Sequence, residues 1–178
     1  MEKEIEDLLS EMKAQMKQWE NRLNQLEKKL KPTETENFVD LGLSVQWARC
    51  NVGANTREDY GNRYSFEEAQ ELSNSEWQVP TTEQFEELLE NCDYKWAKRN
   101  GVNGCLFTSK INGKSIFLPS AGDRYGSDVR FVGSYGSYWS SSACNRLCAY
   151  CLYFSGDCAY TDSVDRYCDR SVRLVRGL

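Results

Sequence analysis

Along residues 1–31 the apolar positions Ile5, Leu9, Met12, Met16, Trp19, Leu23, Leu26 and Leu30 alternate by fours and threes without a break. On a heptad, Leu9, Met16, Leu23 and Leu30 fall at a, and Ile5, Met12, Trp19 and Leu26 at d. The other faces are almost wholly Glu, Lys, Gln and Asn, and Arg22 at g can meet Glu27 at the next e. So narrow a seam predicts an oligomerising coiled coil rather than a helix packed on its own core. Leu at a, Ile at one d and the bulk of Trp19 lean away from a dimer, so a homo-oligomer is expected, with a trimer favoured. Pro32 stops the helix, and 32–37 reads as a polar linker.

From Phe38 the pattern changes. Ser65, followed by Glu67 and Glu68, predicts the start of a short helix to about Leu72. Thr81 and Gln84 form a capping box after Pro80, with Phe85, Leu88, Leu89 and Cys92 at helical spacing behind it. After Asn100 the chain reads as short strands joined by Gly, Asn, Asp and Ser turns. Asn112-Gly113 marks a tight hairpin whose return strand is Ser115–Leu118. Two early helices and many late strands predict an α+β head over 38–178. Trp47, Trp77, Trp96 and Trp139 are its candidate anchors.

Composition narrows the chemistry. With 22 basic and 27 acidic residues the net charge is −5, which argues against a nucleic-acid partner. There is no histidine, which removes Ser-His-Asp and Cys-His catalysis, His-ligated zinc and the usual pH switch. No long apolar run predicts membrane insertion, and the start Met1-Glu-Lys-Glu-Ile does not read as a secretory signal. Eight cysteines are unevenly placed: Cys144, Cys148, Cys151, Cys158 and Cys168 crowd the end.

Several stretches carry a resemblance. They are Phe38-Val-Asp-Leu-Gly-Leu-Ser-Val-Gln-Trp-Ala-Arg-Cys-Asn-Val-Gly-Ala54, Asp59-Tyr-Gly61 and Trp77-Gln-Val-Pro-Thr-Thr-Glu-Gln-Phe-Glu-Glu-Leu-Leu89. Ser115-Ile-Phe-Leu-Pro-Ser-Ala-Gly122, Gly136-Ser-Tyr-Trp-Ser-Ser-Ser142 and Ser171-Val-Arg-Leu-Val-Arg-Gly177 continue the series. In this order they resemble a family of C-type-lectin-fold domains abundant in gut Bacteroidetes and their phages. The resemblance implies a C-type lectin fold for 38–178. One subset of that family comprises the variable proteins of diversity-generating retroelements, in which a reverse transcriptase rewrites a C-terminal segment by mutating template adenines. An Asn codon randomised at its first two bases never yields Lys, Glu, Gln, Met or Trp.

The chain can be read against that rule. Residues 37–142 hold 21 of those five types in 106 positions, whereas 143–170 hold none in 28. The segment 143–170 is therefore expected to be the diversified one. In Tyr150–Ser155, alternation assigns Tyr150, Leu152 and Phe154 to a fixed core and Cys151, Tyr153 and Ser155 to an exposed face. Val172 and Leu174 read as core anchors of the last strand. The candidate ligand-binding residues are Asn145, Arg146, Leu147, Cys148, Cys151, Tyr153, Ser155, Asp157, Tyr160, Asp162, Ser163, Asp165 and Cys168.

The expected function is a non-enzymatic receptor-binding protein. Its partner would be a protein or glycan on a cell surface, engaged from a phage virion or a bacterial surface by several heads at once. No cofactor and no metal is assigned. Cys144-x-x-x-Cys148-x-x-Cys151 has the spacing of an iron–sulfur motif but not the context of one. Zinc on Cys148 and Cys151 lacks a second Cys-x-x-Cys knuckle. The alternatives are a metal-dependent or enzymatic lectin-fold protein of the formylglycine-generating kind built on the late cysteines, and a calcium-dependent sugar lectin. The calcium-site tripeptides Glu-Pro-Asn, Gln-Pro-Asp and Trp-Asn-Asp are absent.

Overall fold

A computed structural model describes residues 12, 13, 15–23 and 37–178. The chain divides into two units, Met1–Glu36 and Asn37–Leu178. In the first, the described residues are helical. The seam positions Met12, Met16, Trp19 and Leu23 are all exposed, by 57% to 65%. Arg22 lies 5.9 Å over the Trp19 ring. The seam positions Ile5, Leu9, Leu26 and Leu30 lie outside the described residues. Among the described residues no helix is long and apolar enough to cross a membrane.

The second unit is mixed α/β, with mostly antiparallel sheets and two short helices. Strands β1 (Phe38–Asp40) and β2 (Gln46–Ala48) lead to helices α1 (Phe66–Glu71) and α2 (Thr82–Asn91). Then come β3 (Cys92–Arg99), β4 (Val102–Ser109), β5 (Ser115–Pro119), β6 (Asp123–Tyr125) and β7 (Asp128–Arg130). The chain finishes with β8 (Gly136–Ala143), β9 (Cys148–Phe154), β10 (Ala159–Asp165), β11 (Cys168–Asp169) and β12 (Val175–Arg176). They form four three-stranded sheets, ordered β1-β2-β12, β3-β4-β5, β11-β6-β7 and β10-β9-β8.

Local chemistry sets the helix starts. Ser65 and Glu68 close one capping box, and Thr81 and Gln84 another, so orphan N–H groups of each first turn find acceptors. Helix α2 ends where Cys92 turns extended and opens β3, although Cys92 keeps the helical spacing in sequence.

The sheet β8-β9-β10 stands between two apolar clusters. On one side Tyr138, Leu152 and Phe154 join Leu41, Trp47, Phe85, Leu88, Phe107 and Leu118. On the other, Trp139, Ala149 and Cys151 meet Phe66, Ala69, Val79 and Val172. Each fully buried large side chain contributes about 1.5–3 kcal/mol, so both faces help hold this sheet. Trp47 and Trp139 are wholly buried, and Trp77 and Trp96 are half-buried at the margins.

Candidate ligand-binding site

The site grows from the open end of that same sheet. Strand β9 pairs with β10 through Cys151↔Asp162 and Tyr153↔Tyr160, and with β8 through Ser137↔Tyr153 and Trp139↔Cys151. The alternation of strand side chains puts Ser137, Trp139, Ala149, Cys151, Tyr153, Tyr160, Asp162 and Val164 on one face. Helix α1 covers only the Trp139 end of it, with the Phe66 ring edge-on to Trp139 at 5.5 Å. The uncovered end holds a cavity of about 240 Å³ lined by Tyr135, Ser137, Cys151, Tyr153, Tyr160, Asp162, Val164 and Arg170.

Four aromatic rings run in a stripe past this cavity. Phe131 lies 5.4 Å from Tyr135, Tyr135 lies 5.1 Å from Tyr153, and Tyr153 lies 5.2 Å from Tyr160. Rings at such spacing support one another and present broad faces at low entropic cost. Gly136 begins β8 because a Cβ there would come within 2.1 Å of the Phe154 ring, which packs beneath the strand. Phe131 is 57% exposed and holds φ at +59°, a left-handed backbone that a bulky residue adopts only under strain. Strain of this kind costs about 1–3 kcal/mol and clusters at binding and catalytic sites.

Fixed charges brace the stripe. Arg130 grips the buried Asp123 with two hydrogen bonds of 3.0 Å, and the Tyr135 hydroxyl donates to the same carboxylate at 2.8 Å. Burial and that carboxylate together push the Tyr135 hydroxyl's pKa well up, so it stays a donor. At the cavity floor the Arg170 guanidinium stacks 4.5 Å over Trp139, and its Nε donates to Ser137 Oγ at 2.8 Å. Its Nη1 donates to the carbonyls of Asp165 and Cys168. Burial raises the pKa of the Cys151 thiol, against the opposing effects of the Arg170 charge and the Ser137 contact.

The structure scatters the sequence-derived residues over several places. Tyr153, Tyr160 and Asp162 share the cavity face. Cys151 shares it too, but the expectation that it is exposed is corrected: it is 1% exposed, sealed by the Trp139 and Val172 cluster. Alternation separated the two faces of β9 properly, yet α1 and Val172, in the segment before β12, cover half of the second face as well. Asn145, Arg146 and Leu147 form the exposed β8–β9 turn, where Asn145 Oδ1 accepts from the N–H groups of Leu147 and Cys148. Ser155 and Asp157 lie in the β9–β10 turn. Cys148, Ser163 and Asp165 point to the opposite face of the sheet, where the Cys148 thiol contacts Asp165 at 3.7 Å. Cys168 lies on β11 beside Arg130. The thirteen candidates thus divide into one cavity cluster and satellite groups around it.

Tyr135, Ser137, Arg170 and Phe131 escaped the sequence reading. A period of two already aligns Ser137 with Trp139, but nothing local shows that β8 pairs with β9 in this register.

All eight cysteines are free thiols. Cys92 and Cys105 are buried in the core, which pushes their pKa values to about 11 and about 12. Such thiols stay protonated and act as small apolar groups. Among the described residues no three Cys, Asp or Glu side chains are grouped so as to hold a metal ion. No protein-family model, no curated protein and no solved structure matches this chain.

Proposed function

We propose that this protein is a non-enzymatic binding module. A C-type-lectin-type head carries a retroelement-diversified surface over 143–170, and the N-terminal helix gathers several heads as a coiled coil. The observation that carries the reading is the aromatic stripe: Tyr153 and Tyr160, from the expected diversified segment, lie in line with Tyr135 and Phe131 from outside it. Changeable side chains thus meet a partner on top of buried support from Leu152, Phe154 and Val172. Substitutions at half-exposed positions cost such a frame little stability. The exposed seam of Met12, Met16, Trp19 and Leu23 is the surface through which copies join, and joined heads gain avidity.

The test is to sequence the locus and sibling genes. A reverse transcriptase with an adenine-richer near-copy of the segment is expected, along with variation at 145, 146, 153, 157, 160 and 162. Leu152, Phe154 and Val172 should stay constant. A gene with no template copy and no variation overturns the reading. Removing 1–31 should convert the oligomer to a folded monomer by light scattering; an unchanged oligomer would assign the interface to the head.

A further inference from the structure

We infer that the cavity floor receives a carboxylate, presented by an acidic side chain of a partner protein. This rests on the binding role proposed above and names the chemistry of its deepest contact.

Arg170 is 7% exposed and carries a charge that no carboxylate among the described residues pairs with. A guanidinium has five N–H groups. Nε and Nη1 spend three of them on Ser137 Oγ and two backbone carbonyls. Among the described residues Nη2 has no oxygen acceptor; the guanidinium's other polar neighbour is the Cys151 thiol, a weak acceptor, and Nη2 is not sealed from solvent. The residue lines the cavity, so this nitrogen offers its donors there. A buried, unpaired guanidinium binds an anionic oxygen more strongly than a neutral one, and planar carboxylates fit it best.

Shape and surroundings narrow the ligand further. About 240 Å³ is below the range of drug-sized pockets and admits one side chain. The tyrosine faces of Tyr153 and Tyr160 suit the aliphatic stem of that side chain. Asp162 at the rim attracts cations, but it is exposed and screened by water, whereas Arg170 acts from a low-dielectric floor. The floor therefore sets the sign. The stripe continues outward to Phe131, whose chain neighbours Val129 and Val132 are 50% and 42% exposed. Such an apolar shoulder beside a small polar hole fits a protein surface, with the acid as anchor.

The experiment uses the full chain and N-acetyl-glutamate amide as probe, read by the ring signals of Tyr135, Tyr153 and Tyr160 in NMR titrations. Millimolar binding is expected, roughly tenfold tighter than for the N-acetyl-glutamine amide, and weakened by salt. Tyr160→Ala should weaken it several-fold, and Asp162→Asn should strengthen it about twofold. Both positions are exposed, so both variants keep the fold even if Arg170→Gln does not. Equal binding of the glutamine probe, preference for N-acetyl-lysine amide, tighter binding of glucuronate, or no binding of any probe overturns the inference. Variation at 153, 160 and 162 among siblings with a silent glutamate probe would remove this inference alone. Glutamate binding in an invariant gene would remove only the diversified reading.

Discussion

Arg170 and Arg173 lie three residues apart, and both are buried, yet their surroundings differ. Arg173 is 0% exposed, and each of its three nitrogens has an oxygen acceptor. Nε bonds Asn51 Oδ1, Nη1 bonds the carbonyls of Ala48 and Arg49, and Nη2 bonds that of Phe117. It clamps β2 and β5 to the final segment, with the Tyr138 hydroxyl also within its hydrogen-bonding reach. Arg170 is held by the Trp139 face, Ser137 and two backbone carbonyls, and lines a cavity with Nη2 lacking an oxygen acceptor among the described residues. The same residue type serves as a closed staple in one place and an open receptor in the other. What separates them is how many acceptors the surrounding backbone supplies.

The largest effect should come from Arg173→Ala. It strands one amide oxygen and three carbonyls in a dry core, at a cost of about 3–5 kcal/mol in urea unfolding. Arg170→Ala should cost well under that, because water in the cavity can reach the carbonyls it leaves. Equal losses would break the comparison.

The frame should also be the alkali-sensitive region. Burial raises the wholly buried Tyr138 hydroxyl to about 12, although the Arg173 charge opposes this. Burial likewise raises Cys92 to about 11 and Cys105 to about 12. Each folded value lies above the unfolded one, so their contribution is intact below about pH 9. It is lost as the unfolded chain ionises first, on the order of 2 kcal/mol for Tyr138 by pH 12. Melting temperatures followed from pH 7 to 12 should hold level and then fall. A curve that rises above pH 9 would contradict these burial assignments.

At the cavity the stability effects shrink while the binding effects grow. Tyr160→Ala should change stability by less than about 1 kcal/mol and still abolish partner capture when combined with Tyr153→Ala. A large loss of stability would mark these rings as core. Smallest of all, Phe131→Gly should leave stability within about 1 kcal/mol, since relief of the left-handed strain offsets the lost ring contact with Tyr135. A drop beyond that would show that the Phe131 ring, rather than its exposure, justifies the strained backbone.

Local signals in the sequence were enough for the capping boxes at Ser65 and Thr81, the turn at Asn112-Gly113, and Leu152 and Phe154 of the inward set, whereas Tyr150, assigned to the same set, is only half-buried. Each depends on residues within a few positions of one another. Cys151 was misplaced because its cover, Phe66 and Val172, arrives from distant segments. Tyr135 and Arg170 were overlooked for the same reason: both reach the cavity from outside β8, β9 and β10, beside residues distant in the chain.

By itself the amino-acid order determined the helix starts, the strand-rich second half and the absence of histidine chemistry. Propensity, capping and periodicity act within a few residues, so they survive in one dimension. Only the tertiary structure decided which face of β9 stays open, which tyrosines stand in line, and which buried arginine keeps donors to spare. Those depend on cross-strand register and on what packs over a sheet, and both are set by contacts between residues far apart in the chain.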